Sequence, residues 1–232
     1  MIALTLGAAA AGASRVLCLG AHCDDIEIGC GGTLLRWLEE RPDLDVRWAV
    51  FSSDPRRAAE TRASAQRFLG RSPDKCVTLA EFRDGFLPYQ GTEVKQEFER
   101  LKAEFAPDVV FTHYREDLHQ DHRLVSELTW NTFRGPLILE YEIPKWDGDL
   151  GNPNAYVPLA ERHVQAKIEI LIAEYETQRG RSWFEPETFR SLLRLRGMEA
   201  AAPERYAEAF YARKIVLGVT PPSAMTRGDG GR

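Results

Sequence analysis

The chain has 232 residues, 44% hydrophobic and 28% charged, a balance that fits one α/β domain with a sizeable core and excludes a disordered chain. A formal net charge of -5, a pI near 5.6 and the lack of a long basic run exclude a nucleic-acid binder, which needs Lys and Arg clustered toward phosphates. No segment offers the roughly 20 apolar residues of a membrane span.

The apolar LTLGAAAAGA near the start has no Lys or Arg before it, unlike a secretory signal. Cys18, Cys23, Cys30 and Cys76 show no repeated pair spacing of the zinc-ribbon kind, so a reducing, cytoplasmic setting is expected. Arg15 to Ala21 (RVLCLGA) reads as a strand buried on both faces of a parallel sheet. Gly29 to Glu40 reads as a glycine-rich turn leading into a helix, with Leu34, Leu35 and Leu38 on one side. Val46 to Phe51 is a second strand. Pro55 to Leu69 is a helix with Asp54 as N-cap, Pro55 at its first position and Gly70 closing it.

Cys76 to Leu79 is a short third strand, followed by the loop RDGFLPYQG and a helix near Thr92 to Phe105. Asp108 to Thr112 is a fourth strand, Asp121 to Phe133 a helix, and Leu137 to Tyr141 a fifth strand. Glu142 to Tyr156, rich in Pro, Gly, Asn and Asp, reads as a long loop with the character of a lid. Helices follow near Leu159 to Gln178 and Pro186 to Arg196, then an edge strand at Ile215 to Val219. Alternating strands and helices imply a Rossmann-like, three-layer α/β fold with a mainly parallel sheet. One domain over 1–220 and a disordered tail over 221–232 are expected.

Two short stretches concentrate the ligand-type residues. AHCDDIEIGCGG supplies His22, Asp24 and Asp25, and HYREDLHQDH supplies His113, Asp117, His119, Asp121 and His122, so four of the 5 histidines sit in two clusters. Each cluster follows a predicted strand, and open α/β sheets collect ligands beyond the carboxyl ends of their strands. A catalytic zinc site needs three protein ligands and an open position, and His22, Asp25 and His122 supply them. Asp24, adjacent to a ligand but free, is placed as general base. His119, three residues before His122 at a helix start, shares its face and can stabilise an oxyanion or protonate a leaving amine. Asp121 or Asp117 is expected to orient and charge it.

Rival readings stay open at this point. Two histidines and a carboxylate also describe non-haem Fe(II) oxygenases, although those usually sit on β-barrels. GCGG also permits a nucleotide-binding module, although such glycines more often mean tight packing. A noncatalytic sugar-binding relative is disfavoured because every proposed catalytic position is occupied.

The residues also resemble the PIG-L/LmbE-like zinc-dependent N-acetylglucosaminyl deacetylases, whose AHPDD and HxDH motifs are matched by AHCDD at Ala21 to Asp25 and HQDH at His119 to His122. DIEIGCGGTL, PDVVFTHYREDLHQDHRLV and the C-terminal RLRGMEAAAPERYAEAFYARKI extend the likeness over about Arg15 to Val219. The resemblance implies Zn²⁺ (with Fe²⁺ as the alternative) on His22, Asp25 and His122, Asp24 as base, and His119 as electrophile or acid. It implies a small-molecule N-acetylated amino sugar or glycoconjugate as substrate, with homo-oligomeric assembly left open. Arg57 matches the arginine of the family's RxxE helix, and with Asp84 in the 80s loop and Asp117 it is assigned to substrate binding. Cys23 replaces the family proline, removing a φ constraint and placing an oxidisable thiol beside the centre, and Ile26 stands where the family's Glu usually follows, with Glu27 one place later.

Overall fold

The computed structural model describes residues 14–70 and 76–216. Strand β1 (Arg15–His22) is apolar along almost its whole length because helices cover both sides of it. Val16 and Cys18 point into one core, with the buried faces of α1 (Asp25–Glu40), α2 (Pro55–Leu69), α5 (Glu161–Glu174) and α6 (Pro186–Glu199). Leu17 and Leu19 point into another, with α3 (Gly91–Glu104) and α4 (Gln120–Thr132). The three layers therefore follow from the two-residue period of a strand whose faces are both apolar.

The 7-stranded sheet adds β2 (Asp45–Ser52), β3 (Val77–Leu79), β4 (Val109–His113), β5 (Leu137–Tyr141), β6 (Ala155–Leu159) and β7 (Tyr206–Ala212), in the order β3-β2-β1-β4-β5-β7-β6. Strands β1 to β5 pair in parallel, whereas β7 runs antiparallel to both β5 and β6. The chain builds outward from β1 to β3, then returns to place β4 on the other side of β1. The β1/β4 boundary is thus the point where strand order reverses, and the loops leaving it diverge into a crevice.

Several expectations need correction. The helix expected from Gly29 begins at Asp25, so Gly29, Gly31 and Gly32 form no turn; they lie inside α1. They are small because α1 is packed hard. A methyl group at Gly29 would overlap the Tyr141 ring, one at Gly31 would come within 2.7 Å of Phe68, and one at Gly32 within 2.5 Å of Leu159. The helix expected near Leu159 to Gln178 is α5 with a 3-10 turn at Glu176–Gln178, but the end of the loop expected over Glu142 to Tyr156 gives way to β6 from Ala155, since β6 borrows its pairing from β7 and has no strong alternation of its own. The edge strand expected at Ile215 to Val219 is instead Tyr206–Ala212, paired on both sides. Ile215 and Val216 are outside any strand, and residues 217–219, like the tail at 221–232, lie outside the described residues. No described helix is long and apolar enough to cross a membrane.

A buried ion pair locks α1 to the antiparallel edge. Lys167 Nζ donates to the Ile28 carbonyl (2.6 Å) and lies 2.7 Å from Glu208, whose carboxylate accepts from Gly32 N (2.8 Å) and Thr33 N (2.6 Å). Ile28 O and Gly32 N are the two ends of one i→i−4 rung, so the pair engages the helix backbone directly and satisfies its own buried charges while doing so.

Candidate functional site

His22 is the last residue of β1 and His113 the last of β4, so the neighbouring strands deliver both clusters to the same end of the sheet. The backbone leaves β1 through a tight corner: Asp25 reaches back to accept from His22 N (2.6 Å), and Asp24 adopts a left-handed conformation with φ 101. Such a conformation is uncommon outside glycine, and aspartate is among the residues that tolerate it best. Cys23 is fully buried and aims its Sγ at Ser52 O, while burial pushes its thiol up to about 12. It is a packed, protonated side chain and not a soft ligand or an exposed thiol.

Two imidazole nitrogens and the two oxygens of the Asp25 carboxylate converge across a sequence gap of about a hundred residues. His22 Nδ1 lies 3.2 Å from His122 Nε2 and 3.5 Å from Asp25 Oδ2, and His122 Nε2 lies 3.6 Å from Asp25 Oδ1. A tetrahedral ion with bonds of about 2.0–2.1 Å holds its ligand atoms about 3.3–3.4 Å apart; the two nitrogens come close to that spacing, and each has one Asp25 oxygen at 3.5 or 3.6 Å. Asp25, Asp84, Asp117 and Asp121 crowd the same pocket, with Lys145 on Asp117, a set of carboxylates that a bound cation would complement. Alternative groupings of potential ligands are His22, His119 and His122; Asp25, His113 and His122; and His22, Asp84 and Asp121.

The flanking carboxylates do something other than expected. Asp121, expected to orient His119, instead places its Oδ2 3.1 Å from His22 Nε2 and accepts from Gly85 N (2.7 Å) and Leu87 N (3.1 Å). Asp117, expected to serve substrate or His119, has its Oδ2 3.0 Å from His122 Nδ1 and 2.8 Å from Lys145 Nζ, and it meets His119 through that residue's backbone N–H (2.8 Å). The reason is geometric. His119 caps α4 with its own ring, Nδ1 accepting from Asp121 N at 3.3 Å, which turns it away from both carboxylates. Each convergent imidazole thus has an aspartate behind it, the arrangement that fixes ring orientation and tautomer in metal sites.

Asp24 is buried, and its Oδ2 has no hydrogen-bond partner among the described residues; its Oδ1 lies 3.2 Å from Arg57 Nη2. Burial pushes its carboxyl up to about 8, with the Arg57 charge opposing. Arg57 also bonds the Cys23 carbonyl, so it braces the corner that carries Asp24. The His119 ring centroid is 4.9 Å from that of His22 and 4.6 Å from that of His122. With Nδ1 accepting a backbone N–H, the proton of a neutral His119 sits on Nε2, and burial followed by the His22 charge holds its pKa below the ordinary value. Asp84 is largely exposed and reaches His22 Nε2 at 3.1 Å, so it stands at the mouth.

Some participants were not identified from the sequence. His113, counted in the second cluster but given no role there, stacks on His122 with centroids 3.9 Å apart and lies 3.1 Å from Asp25 Oδ2; its place at a strand's carboxyl end was the available signal. Lys145 bridges Asp117 and Asp149, pinning the expected lid to the centre, and no local pattern marks it. Glu27 ties α1 to Ser64 of α2 (2.7 Å) and to Tyr175.

A Rossmann-like α/β protein with a histidine–aspartate centre at the topological switch point is the class these features define. Residues 17–133, half of the chain, match the family model described as PIG-L, GlcNAc-PI de-N-acetylase, and the chain belongs to that family. Among solved structures it is similar to the conserved protein TT1542 from Thermus thermophilus, with 25% identity, 88% of this chain and 96% of that one covered, and a TM-score of 0.68. It is also similar to the N,N'-diacetylchitobiose deacetylase from Pyrococcus horikoshii (21% identity, 85% and 83% covered, TM-score 0.67). A third similar structure is GalB, the 4-carboxy-2-hydroxymuconate hydratase from Pseudomonas putida (15% identity, 90% and 99% covered, TM-score 0.68). The last two share the fold with this chain.

Proposed function

We propose that the protein is a metal-dependent hydrolase that removes an N-acetyl, or more generally N-acyl, group from an amino sugar or its conjugate. The observation that carries this reading is the mutual spacing of His22 Nδ1, Asp25 and His122 Nε2 at 3.2, 3.5 and 3.6 Å, beside a buried carboxylate with a free oxygen, in a family of de-N-acetylases. His22, Asp25 and His122 would hold the divalent cation, zinc or iron. Such an ion supplies Lewis acidity and lowers the pKa of a coordinated water to about 7.

The chain's own groups supply the rest. Asp24, in the ionised form that a cation held by the neighbouring Asp25 would favour against its burial, accepts a proton from the attacking water as a C–O bond forms at the amide carbon. His119 donates its Nε2–H to the oxygen on which negative charge accumulates. Asp24 then returns the proton to nitrogen as the C–N bond breaks, giving acetate and a primary amine. Arg57 acts by bracing Asp24 and the Cys23 carbonyl, and Asp84 at the mouth contacts the sugar. Asp117 and Asp121 serve as positioning residues behind His122 and His22. The hydratase from Pseudomonas putida has the same fold, so the fold by itself does not select amide hydrolysis; the family match favours it. Release of primary amine and acetate from a panel of N-acetylated amino sugars, absent in Asp24→Asn, tests the assignment. Oxygen consumption with 2-oxoglutarate in place of acetate release would support the oxygenase rival.

A further inference from the structure

Lys145 is a cation standing beside a site that would itself hold one. Its Nζ lies 2.8 Å from Asp117 Oδ2, the oxygen that is also 3.0 Å from His122 Nδ1, and it pairs with Asp149 as well. The side chain is only 12% exposed, so water and salt screen this charge little. Asp117 has other anchors: its Oδ1 accepts from His119 N (2.8 Å).

The turn that carries Lys145 is held independently of it. Glu142 Oε1 accepts from Gly151 N (3.0 Å) and from the Tyr211 hydroxyl (2.8 Å), closing the 142–151 segment at its base. The buried Arg196 fixes that closure by donating to both Glu142 oxygens (3.0 and 2.9 Å) and to Gly151 O (3.0 Å). Near the tip, Asp149 accepts from Leu118 N (2.8 Å). The segment expected to be a lid is therefore tied down at both ends, and removing the ammonium subtracts a charge without releasing the turn. Two effects of that ammonium have the same sign. A carboxylate behind a ligating imidazole raises the ring's donor strength, and Lys145 claims part of that carboxylate's charge. Its own positive charge also opposes a cation at His122 Nε2, in a buried setting where such forces are stronger than in water.

Resting on the cation centre and the deacetylase reading, we infer that Lys145 is a positioning residue that holds Asp117 and restrains its charge, so that His22, Asp25 and His122 grip their cation less tightly and leave it a stronger Lewis acid. Zinc affinity is measured by chelator competition on the purified protein. Lys145→Met should bind zinc about tenfold more tightly than the native protein, although it loses a buried ion pair. Lys145→Arg keeps the charge and should stay near native. Lys145→Gln keeps a donor toward Asp117 without the charge, and it should tighten binding even where the Met variant fails to fold. Asp149→Leu loosens the tip of the turn with the ammonium in place and should not tighten binding. With zinc saturating, acetate release by Lys145→Met should be severalfold slower. Unchanged or weaker zinc binding in the uncharged variants makes Lys145 a structural tie and overturns the inference, as does tightening in Asp149→Leu or undiminished turnover with tighter zinc. A native protein that takes up zinc and releases no acetate refutes the deacetylase and leaves the zinc comparison to decide; one that takes up no divalent metal refutes the cation centre and this inference together.

Discussion

Asp24→Asn separates the charge of this residue from its backbone role. Asparagine tolerates the left-handed conformation imposed at φ 101, keeps the size of the side chain, and leaves Arg57 its bond to the Cys23 carbonyl. What disappears is the carboxylate whose Oδ2 lies buried without a partner. General-base catalysis is worth about 10² to 10⁴ in rate, so kcat/KM should fall about a thousandfold while bound metal and melting temperature stay near those of the native protein. Asp24→Ala should lose the same activity and also give up the tolerance of Asp and Asn for the left-handed region, so its Tm should lie below that of Asp24→Asn. Acetate release, elemental analysis of metal and thermal unfolding are measured on both variants. An Asp24→Asn protein retaining more than about a tenth of native activity refutes the base assignment, and one that loses its metal shows Asp24 to be a ligand.

Three other substitutions probe the supports. Asp117→Asn removes the carboxylate behind His122 and leaves Lys145 paired with Asp149 alone, so zinc affinity measured by chelator competition should fall about 10- to 100-fold; unchanged affinity would show that Asp117 does not act through His122. Lys167→Met leaves Glu208 charged and buried with its two backbone donors and without its cation, a loss of about 3–5 kcal/mol in urea unfolding, and the double variant with Glu208→Gln should lose less than the sum of the singles. Gly29→Ala drives a methyl group into the Tyr141 ring and should cost about 1–3 kcal/mol by overpacking; a neutral outcome would mean that α1 and β5 part easily.

The fold was legible where pattern and chemistry coincided. The helix Pro55–Leu69, with Asp54 accepting from Arg56 N and Arg57 N and Gly70 at φ 61, carries its boundaries in its capping residues, and Leu137–Tyr141 carries its own in a largely apolar run. The two ligand clusters were legible because each follows a strand and because histidine is scarce. Other features depend on partners distant in the chain. Gly29, Gly31 and Gly32 look like a turn until Tyr141, Phe68 and Leu159 are packed against them, and β6 is a strand because β7 supplies its hydrogen bonds. That Asp117 and Asp121 stand behind His122 and His22 depends on ring orientations, which spacing along the chain does not encode.

The convergence of His22, Asp25 and His122 on one cation is the claim from which the mechanism follows. Elemental analysis of the purified protein after dialysis, alongside His22→Ala and His122→Ala, tests it directly. One zinc or iron per chain in the native protein and almost none in either variant is the expected result. A native chain that holds no divalent metal and takes none up, or full metal content in both variants, would contradict it.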